Sequence, residues 1–153
     1  MDTSPTKRLL SAGFPDMDKL AHDAFAGSVL SRPDDSARVE RMVKYLARLV
    51  KMESDCRILV LGCGPYPEPI KILAEKGFST TGVEPVDSFV DTAKEYLGSQ
   101  AVVLQGAAEQ IPVDDGTQDI VWFESVAEHV DSIRVSLEAV SYTHLTLPTI
   151  YSV

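Results

Sequence analysis

Apolar and polar positions along the chain alternate between two periods. Val39, Met42, Val43, Leu46, Leu49 and Val50 recur at steps of three and four, which predicts an amphipathic helix opening near Pro33 and ending near Lys51. Pro33 with Asp34 and Asp35 suits a helix start, where proline costs nothing and acids oppose the positive end of the dipole. Arg57–Leu61 (RILVL) is a short apolar run that breaks into Gly-Cys-Gly-Pro, and it reads as a buried strand. Glu68–Lys76 is helical in pattern, with Gly77 as its stop. Ser79–Val83 predicts a second strand. Asp87–Leu97 predicts a helix capped by Asp87 and stopped by Gly98. Ala101–Gln105 and Ile120–Phe123 predict a third and a fourth strand, and a last helix runs from near Asp131 to about Val140. Residues 1–32 mix Pro, Gly, Asp and short apolar pieces and read as a lead-in, with a short helix near Met17–Phe25.

Strands alternating with helices predict a parallel sheet with crossover helices. The strands are apolar throughout, as expected where both sheet faces are covered. The fold class expected is therefore α/β, a Rossmann-like parallel sheet in three α/β/α layers. The length of 153 residues suits one domain. A net charge of −9 opposes non-specific binding to nucleic acid or to an anionic membrane, because the long-range field repels phosphate. Cys56 and Cys63 match neither a disulfide framework nor a zinc site, and no metal site is expected. The opening residues lack a signal-peptide core, and no apolar run approaches the length of a membrane span, so the expected compartment is the cytoplasm.

Candidate chemistry gathers at two strand ends. Gly62 and Gly64 follow the first strand and precede a helix, where side chains would block a ligand's approach to backbone N–H groups. Alone, such a turn is as readily a plain tight turn. Glu84 ends the second strand about 20 residues later, a spacing that suits a carboxylate accepting hydrogen bonds from both hydroxyls of an adenosine ribose. Tyr66 and Pro67 stand where a dinucleotide's pyrophosphate needs a third glycine, so an adenosine ligand without pyrophosphate fits better than NAD.

Four motifs in order carry a resemblance. RILVLGCGP, TTGVEPVDSFVDTAKEY, LQGAAEQIPVDDGTQDIVW and FESVAEHVDSIRVSLEAV resemble successive segments of the class I S-adenosylmethionine-dependent methyltransferases of the type 11 kind, over about Val39 to Ala139. The resemblance implies transfer of the sulfonium methyl of S-adenosyl-L-methionine to an acceptor, expected to be a small molecule. It implies that Gly62, Cys63 and Gly64 lie against the methionine and ribose part of the cofactor. Glu84, followed by Pro85, would hold the ribose; Val86 would pack on the adenine, with Ala108 and Glu109 at its edge. Glu124 and Ser125 would face the methyl-transfer pocket; Glu124 also counts among the cofactor-binding residues, and Glu124 and His129 are the candidates for catalysis. His129 also reads as a structural or pocket-lining residue, Trp122 as core, and Cys63 as a small filler.

The sequence departs from the family pattern at Val60, where an acid is frequent, at Tyr66 in place of a glycine, and at Ala107 in place of an aspartate. A dinucleotide-dependent oxidoreductase and a non-catalytic adenosine-binding scaffold are the rival readings. The family's sheet has seven strands in the order 3-2-1-4-5-7-6, of which strands one to four are expected here, with strand four an open edge. The stretch Val140–Thr149, VSYTHLTLPT, resembles one frame of a transposon-end sequencing adapter, although its β-rich composition would also fit a genuine C-terminal strand. That resemblance implies that the methyltransferase part is residues 33–139, its N-terminal half. It also implies that residues 140–153 are a non-native tail, and that the polypeptide is poorly soluble and nearly inactive beside a complete parent enzyme.

Overall fold

The computed structural model describes residues 36–49, 51–124, 126–127, 129–143 and 150–152. In chain order the elements are α1 (Ser36–Leu49), β1 (Arg57–Leu61), α2 (Glu68–Glu75), β2 (Ser79–Glu84), α3 (Asp87–Leu97), β3 (Val102–Gln105), β4 (Ile120–Glu124), α4 (Ile133–Thr143) and β5 (Ile150–Ser152). The lead-in and the helix expected near Met17–Phe25 lie outside the described residues. So do residues 33–35 and 50, at the ends of the first expected helix.

The strands form one sheet in the order β3-β2-β1-β4-β5, with every pair parallel. The fifth strand corrects the expected count of four and the expected open edge at β4. Ile150, Tyr151 and Ser152 pair with Trp122, Phe123 and Glu124. The uncharged, β-prone end of the chain satisfies backbone groups that β4 would otherwise leave bare.

Strand β1 shows why both faces are covered. Ile58 and Val60 point to one face and Leu59 and Leu61 to the other, as the two-residue strand period requires. Ile58 and Val60 pack with Val39 and Leu46 of α1, Ile70 and Leu73 of α2, and Val90 and Ala93 of α3. Leu59 and Leu61 pack with Val83, Val121, Phe123 and Val140, the last from α4. Three helices therefore cover one face and α4 the other, which is the expected three-layer arrangement.

Helix ends follow local chemistry. Pro67 precedes α2 and Glu68 stands in its first turn. Gly77 closes α2 at φ +91°, its N–H donating to the Ala74 carbonyl at 2.9 Å. Val86, not Asp87, holds the capping position of α3; Asp87 is the first helical residue, where its charge still meets the dipole. The end of α4 is anchored to the loop before β4, since the Tyr142 and Thr143 carbonyls accept from the N–H groups of Gly116 (2.9 Å) and Gln118 (3.0 Å). At the amino-terminal end of β1, Arg57 donates from its backbone N–H (2.8 Å) and from its Nε and Nη2 (2.9 Å each) to the Asp119 carboxylate. This clamp sets the β1–β4 register from below. No helix among the described residues is long and apolar enough to cross a membrane.

Candidate cofactor site at the sheet's switch point

Strands β2 and β3 lie to one side of β1, and β4 and β5 to the other. The crevice beyond the carboxyl ends of β1 and β4 is thus the topological switch point, where open α/β sheets take their ligands.

The turn after β1 is built for close approach. Gly62 and Gly64 adopt φ of +62° and +69°, which side-chain-bearing residues rarely tolerate. The N–H groups of Gly62 and Cys63 both donate to the Val83 carbonyl of β2, at 2.8 and 3.2 Å. A Cβ on Gly62 would run into the Val126 side chain, from the segment that follows β4. Gly62→Ala combines that clash with a left-handed backbone cost of about 1–2 kcal/mol. The melting temperature is expected to fall by about 2–8 °C, and a thermal melt within 1 °C of wild type would contradict the packing of Val126 on the turn.

Glu84 is brought under this turn and is buried. Its carboxylate accepts from the Gly64 N–H at 2.9 Å and the Val86 N–H at 3.1 Å, so one side chain joins the turn after β1 to the entry of α3. Burial raises its pKa, against the two backbone N–H groups that lower it. Two hydrogen bonds leave lone pairs for further donors, since a carboxylate offers about four sites. The spacing of glycine turn and acid thus becomes a physical contact, while Val86 is half-buried beside it and Pro85 is exposed.

Cys63 sits between the two glycines, half-buried. Its Sγ packs against Gly82, where a Cβ would come within 2.9 Å of it. Burial, and then the Glu84 charge, push its pKa up to about 12, which favours the thiol at neutral pH. Tyr66 turns to the surface, its ring edge-on to Tyr96 of α3 with centroids 5.7 Å apart. The Tyr96 hydroxyl donates to Glu68 at 2.5 Å.

The loop after β3 closes the site's second side. The Gly106 N–H donates to the Glu84 carbonyl at 3.1 Å, and Ala107 bridges to Gln110. Ala108 is buried against the Leu59–Val83 side of the core. The Glu109 carboxylate accepts from the Asp131 N–H at 2.7 Å, tying this loop to the segment after β4.

Glu124 ends β4. Leu61 pairs with Phe123, so Glu124 stands beside Gly62 at about one strand spacing, about 4.8 Å. Its carboxylate accepts from Arg38 of α1 and from the Trp122 indole N–H at 3.0 Å. Trp122 itself is core. His129 lies on an exposed turn whose N–H donates to the Val126 carbonyl at 2.9 Å. Ser125 and Glu128 lie outside the described residues. Among the described residues, no group of three His, Cys, Asp or Glu could hold a metal ion.

Two participants have no signature in the sequence pattern. Arg38 reaches Glu124 across 86 residues, a separation with no local pattern to announce it. Val126 packs on Gly62, and only the glycine's need for space hinted at a neighbour.

Comparisons with known proteins bear on the family and the fold. A family model described as a methyltransferase domain matches residues 59–141. The ubiquinone biosynthesis O-methyltransferase of Rickettsia conorii is 31% identical over 117 residues, covering 71% of this chain and 39% of that protein. The YcgJ protein of Bacillus subtilis superposes with a TM-score of 0.61 at 18% identity, over 69% of this chain and 46% of its own. A SAM-dependent methyltransferase of Aquifex aeolicus superposes at 0.59 and 16% identity, over 74% and 68%. The chain thus spans about two fifths of the length of its Rickettsia relative.

Proposed function

The chain belongs to the methyltransferase-domain family of class I S-adenosylmethionine-dependent enzymes, and from that premise we propose that it binds S-adenosyl-L-methionine at the switch point and serves methyl transfer to a small-molecule acceptor. The observation that carries the reading is the buried Glu84 carboxylate, tied to the glycine turn and still able to accept two ribose hydroxyls. The residues suit an adenosine ligand. Glycines leave room at the turn, and the half-buried Val86 offers an apolar surface for a base, with Ala108 and Glu109 assigned to its edge by the family resemblance. Tyr66, turned away toward Tyr96, and Pro67 leave no third glycine for a pyrophosphate.

When bound, the cofactor supplies an electrophilic methyl group on a sulfonium. The chain's part is alignment: Gly62 and Gly64 let the ligand approach the backbone, Glu84 orients the ribose, and Val126 covers the turn from above. Cys63 takes no part as a nucleophile. His129 and Glu124 remain the candidates for handling an acceptor proton, with Glu124 already held by two donors.

Thermal-shift titration compares S-adenosylhomocysteine with NADH. Stabilisation by the first alone is expected, and stabilisation by NADH alone would replace this reading by an oxidoreductase. Transfer of label from methyl-labelled S-adenosylmethionine to a small-molecule extract tests the reaction. Binding without any labelled product favours the scaffold reading.

A further inference from the structure

Helices α1, α2 and α3 form one layer on the sheet and run in the same sense. The first turn of α1 meets the carboxyl end of β4 through Arg38 and Glu124, while α2 and α3 start where β1 and β2 end. Helix α1 packs beside α2, and α3 lies over β2 and β3, so α2 separates the two outer helices. Those outer helices carry opposite charge. Five of the chain's 14 Lys and Arg residues fall within residues 38–51, in a protein whose net charge is −9. Arg41, Lys44 and Arg48 are exposed and recur at steps of three and four, along the side of α1 opposite the buried Val39 and Leu46. On α3, Asp87, Asp91 and Glu95 are exposed at steps of four, with Lys94 to one flank. None of these six stripe residues takes part in an ion pair among the described residues. Lys44 acts on Glu40 at longer range, but the partner of Glu40 is Lys76. Like charges one turn apart repel along each stripe, so each helix gives up stability that an opposite stripe would return.

We propose that this helix layer is the interface of a two-fold dimer, in which α1 of each copy lies against α3 of the other. The symmetry follows from the order of the helices. When two such layers meet face to face, a two-fold axis parallel to the helices and centred over α2 sets each α1 on the opposite copy's α3. An axis running across the helices would set α1 on α1, like charge on like. The favoured contact is isologous and closes at two copies. The helices of the two copies then run the same way, and both stripes begin within about two turns of their helix starts, so they come level. Arg41 to Arg48 spans about 10 Å and Asp87 to Glu95 about 12 Å, so the stripes also match in length. Tyr45, beside the basic stripe, is 52% exposed and adds the aromatic surface that interfaces favour. Three helices averaging about 16 Å in length and about 10 Å apart offer about 500 Å² a copy, near the lower limit of a specific interface, so the dimer is weak and reversible. A nucleic acid or an anionic membrane would meet the basic stripe but leave the acidic one unanswered, and the net charge repels both.

Sedimentation velocity tests this on the purified chain. In about 0.1 M salt the Debye length of about 10 Å damps the net repulsion and leaves contact pairs intact. A reversible monomer–dimer equilibrium is expected below about 100 μM. Asp91→Lys with Glu95→Lys is expected to raise the dissociation constant at least about 10-fold. That variant is less acidic than the parent, so added net repulsion does not explain its loss. Lys44→Glu with Arg48→Glu is expected to act alike. An equal mixture of the two variants is expected to dimerise again to within about threefold of the parent, since both contacts of the mixed dimer then join opposite charges. Melting within about 3 °C of the parent shows that each variant is folded. A second measurement needs no variant. Carbodiimide joins a lysine amine to a carboxylate with loss of water, and in a mixture of isotopically heavy and light chains the expected link runs from Lys44 of one isotope to Asp91 or Glu95 of the other. A monomer throughout, a variant that stays dimeric, variants that do not recombine, or no heavy–light link at these residues overturns the proposal. Assembly beyond two copies overturns the two-fold arrangement.

Discussion

Glu84→Ala is expected to cut the affinity for S-adenosylhomocysteine by at least about 100-fold, because two hydrogen bonds to an ionised acceptor are lost together. The turn suffers as well. The Gly64 and Val86 N–H groups lose their shared acceptor, and an unpaired buried N–H costs about 1–3 kcal/mol. Glu84→Gln separates the two effects, since its amide oxygen serves only one N–H while the NH2 opposes the other. Calorimetry at neutral pH decides the matter: Glu84→Ala binding within about threefold of wild type would remove the carboxylate from the ligand site.

The acid carries a pH signature. Its folded pKa lies above the unfolded value of 4.5, so the folded state keeps the proton longer. Its stabilising contribution is therefore present below the unfolded pKa and is lost as pH rises toward the folded one. Ligand affinity runs the other way. Ribose hydroxyls donate best to the ionised form, so binding strengthens as pH climbs through the raised value and releases a proton. Glu84→Gln should flatten this dependence.

The second large effect is on stability. Leu59 is fully buried at the middle of β1, paired with Thr81 on one side and Val121 on the other, and packed with Leu61, Val83, Phe123 and Val140. Leu59→Ala is expected to cost about 2–5 kcal/mol, against a typical total of about 5–15 kcal/mol. Urea unfolding measures it. A loss under about 1 kcal/mol would mean that the α4 face is not packed as described.

The central strands were legible because period and length agree there. Arg57–Leu61 and Asp87–Leu97 have the bounds expected, since a five-residue apolar run ending in glycine and a glycine-stopped amphipathic stretch admit few alternatives. Asp87 misled at the helix start because its residue type favours a cap, whereas the extended backbone needed there falls on Val86. The Glu84–Gly64 contact was foreseeable from spacing, as a parallel βαβ unit brings the ends of adjacent strands level. The Arg38–Glu124 pair was not. Amphipathic spacing tells which face of α1 is buried, but not which polar residue on its first turns lands beside a strand end. The fifth strand was legible only as an alternative, since the β-prone composition of the end of the chain fits a strand while its string resembles an adapter.

The Arg57–Asp119 clamp joins residues 62 apart in sequence, and β1 meets β4 across everything that lies between. The pairs β1–β2 and β2–β3 close over far shorter loops. Closing a long loop costs entropy before its contacts repay it, so the β1–β4 seam is expected to form after β1–β2 and β2–β3. The glycine turn and Glu84 can meet while β4 is still unpaired. The switch-point crevice exists only after β4 docks, so the nucleoside proposed to bind there would have no complete site on an earlier species. A ligand there acts as a brake on unfolding and not as a template for folding: occupancy lengthens the life of the native state while the rate of reaching it stays with the bare chain.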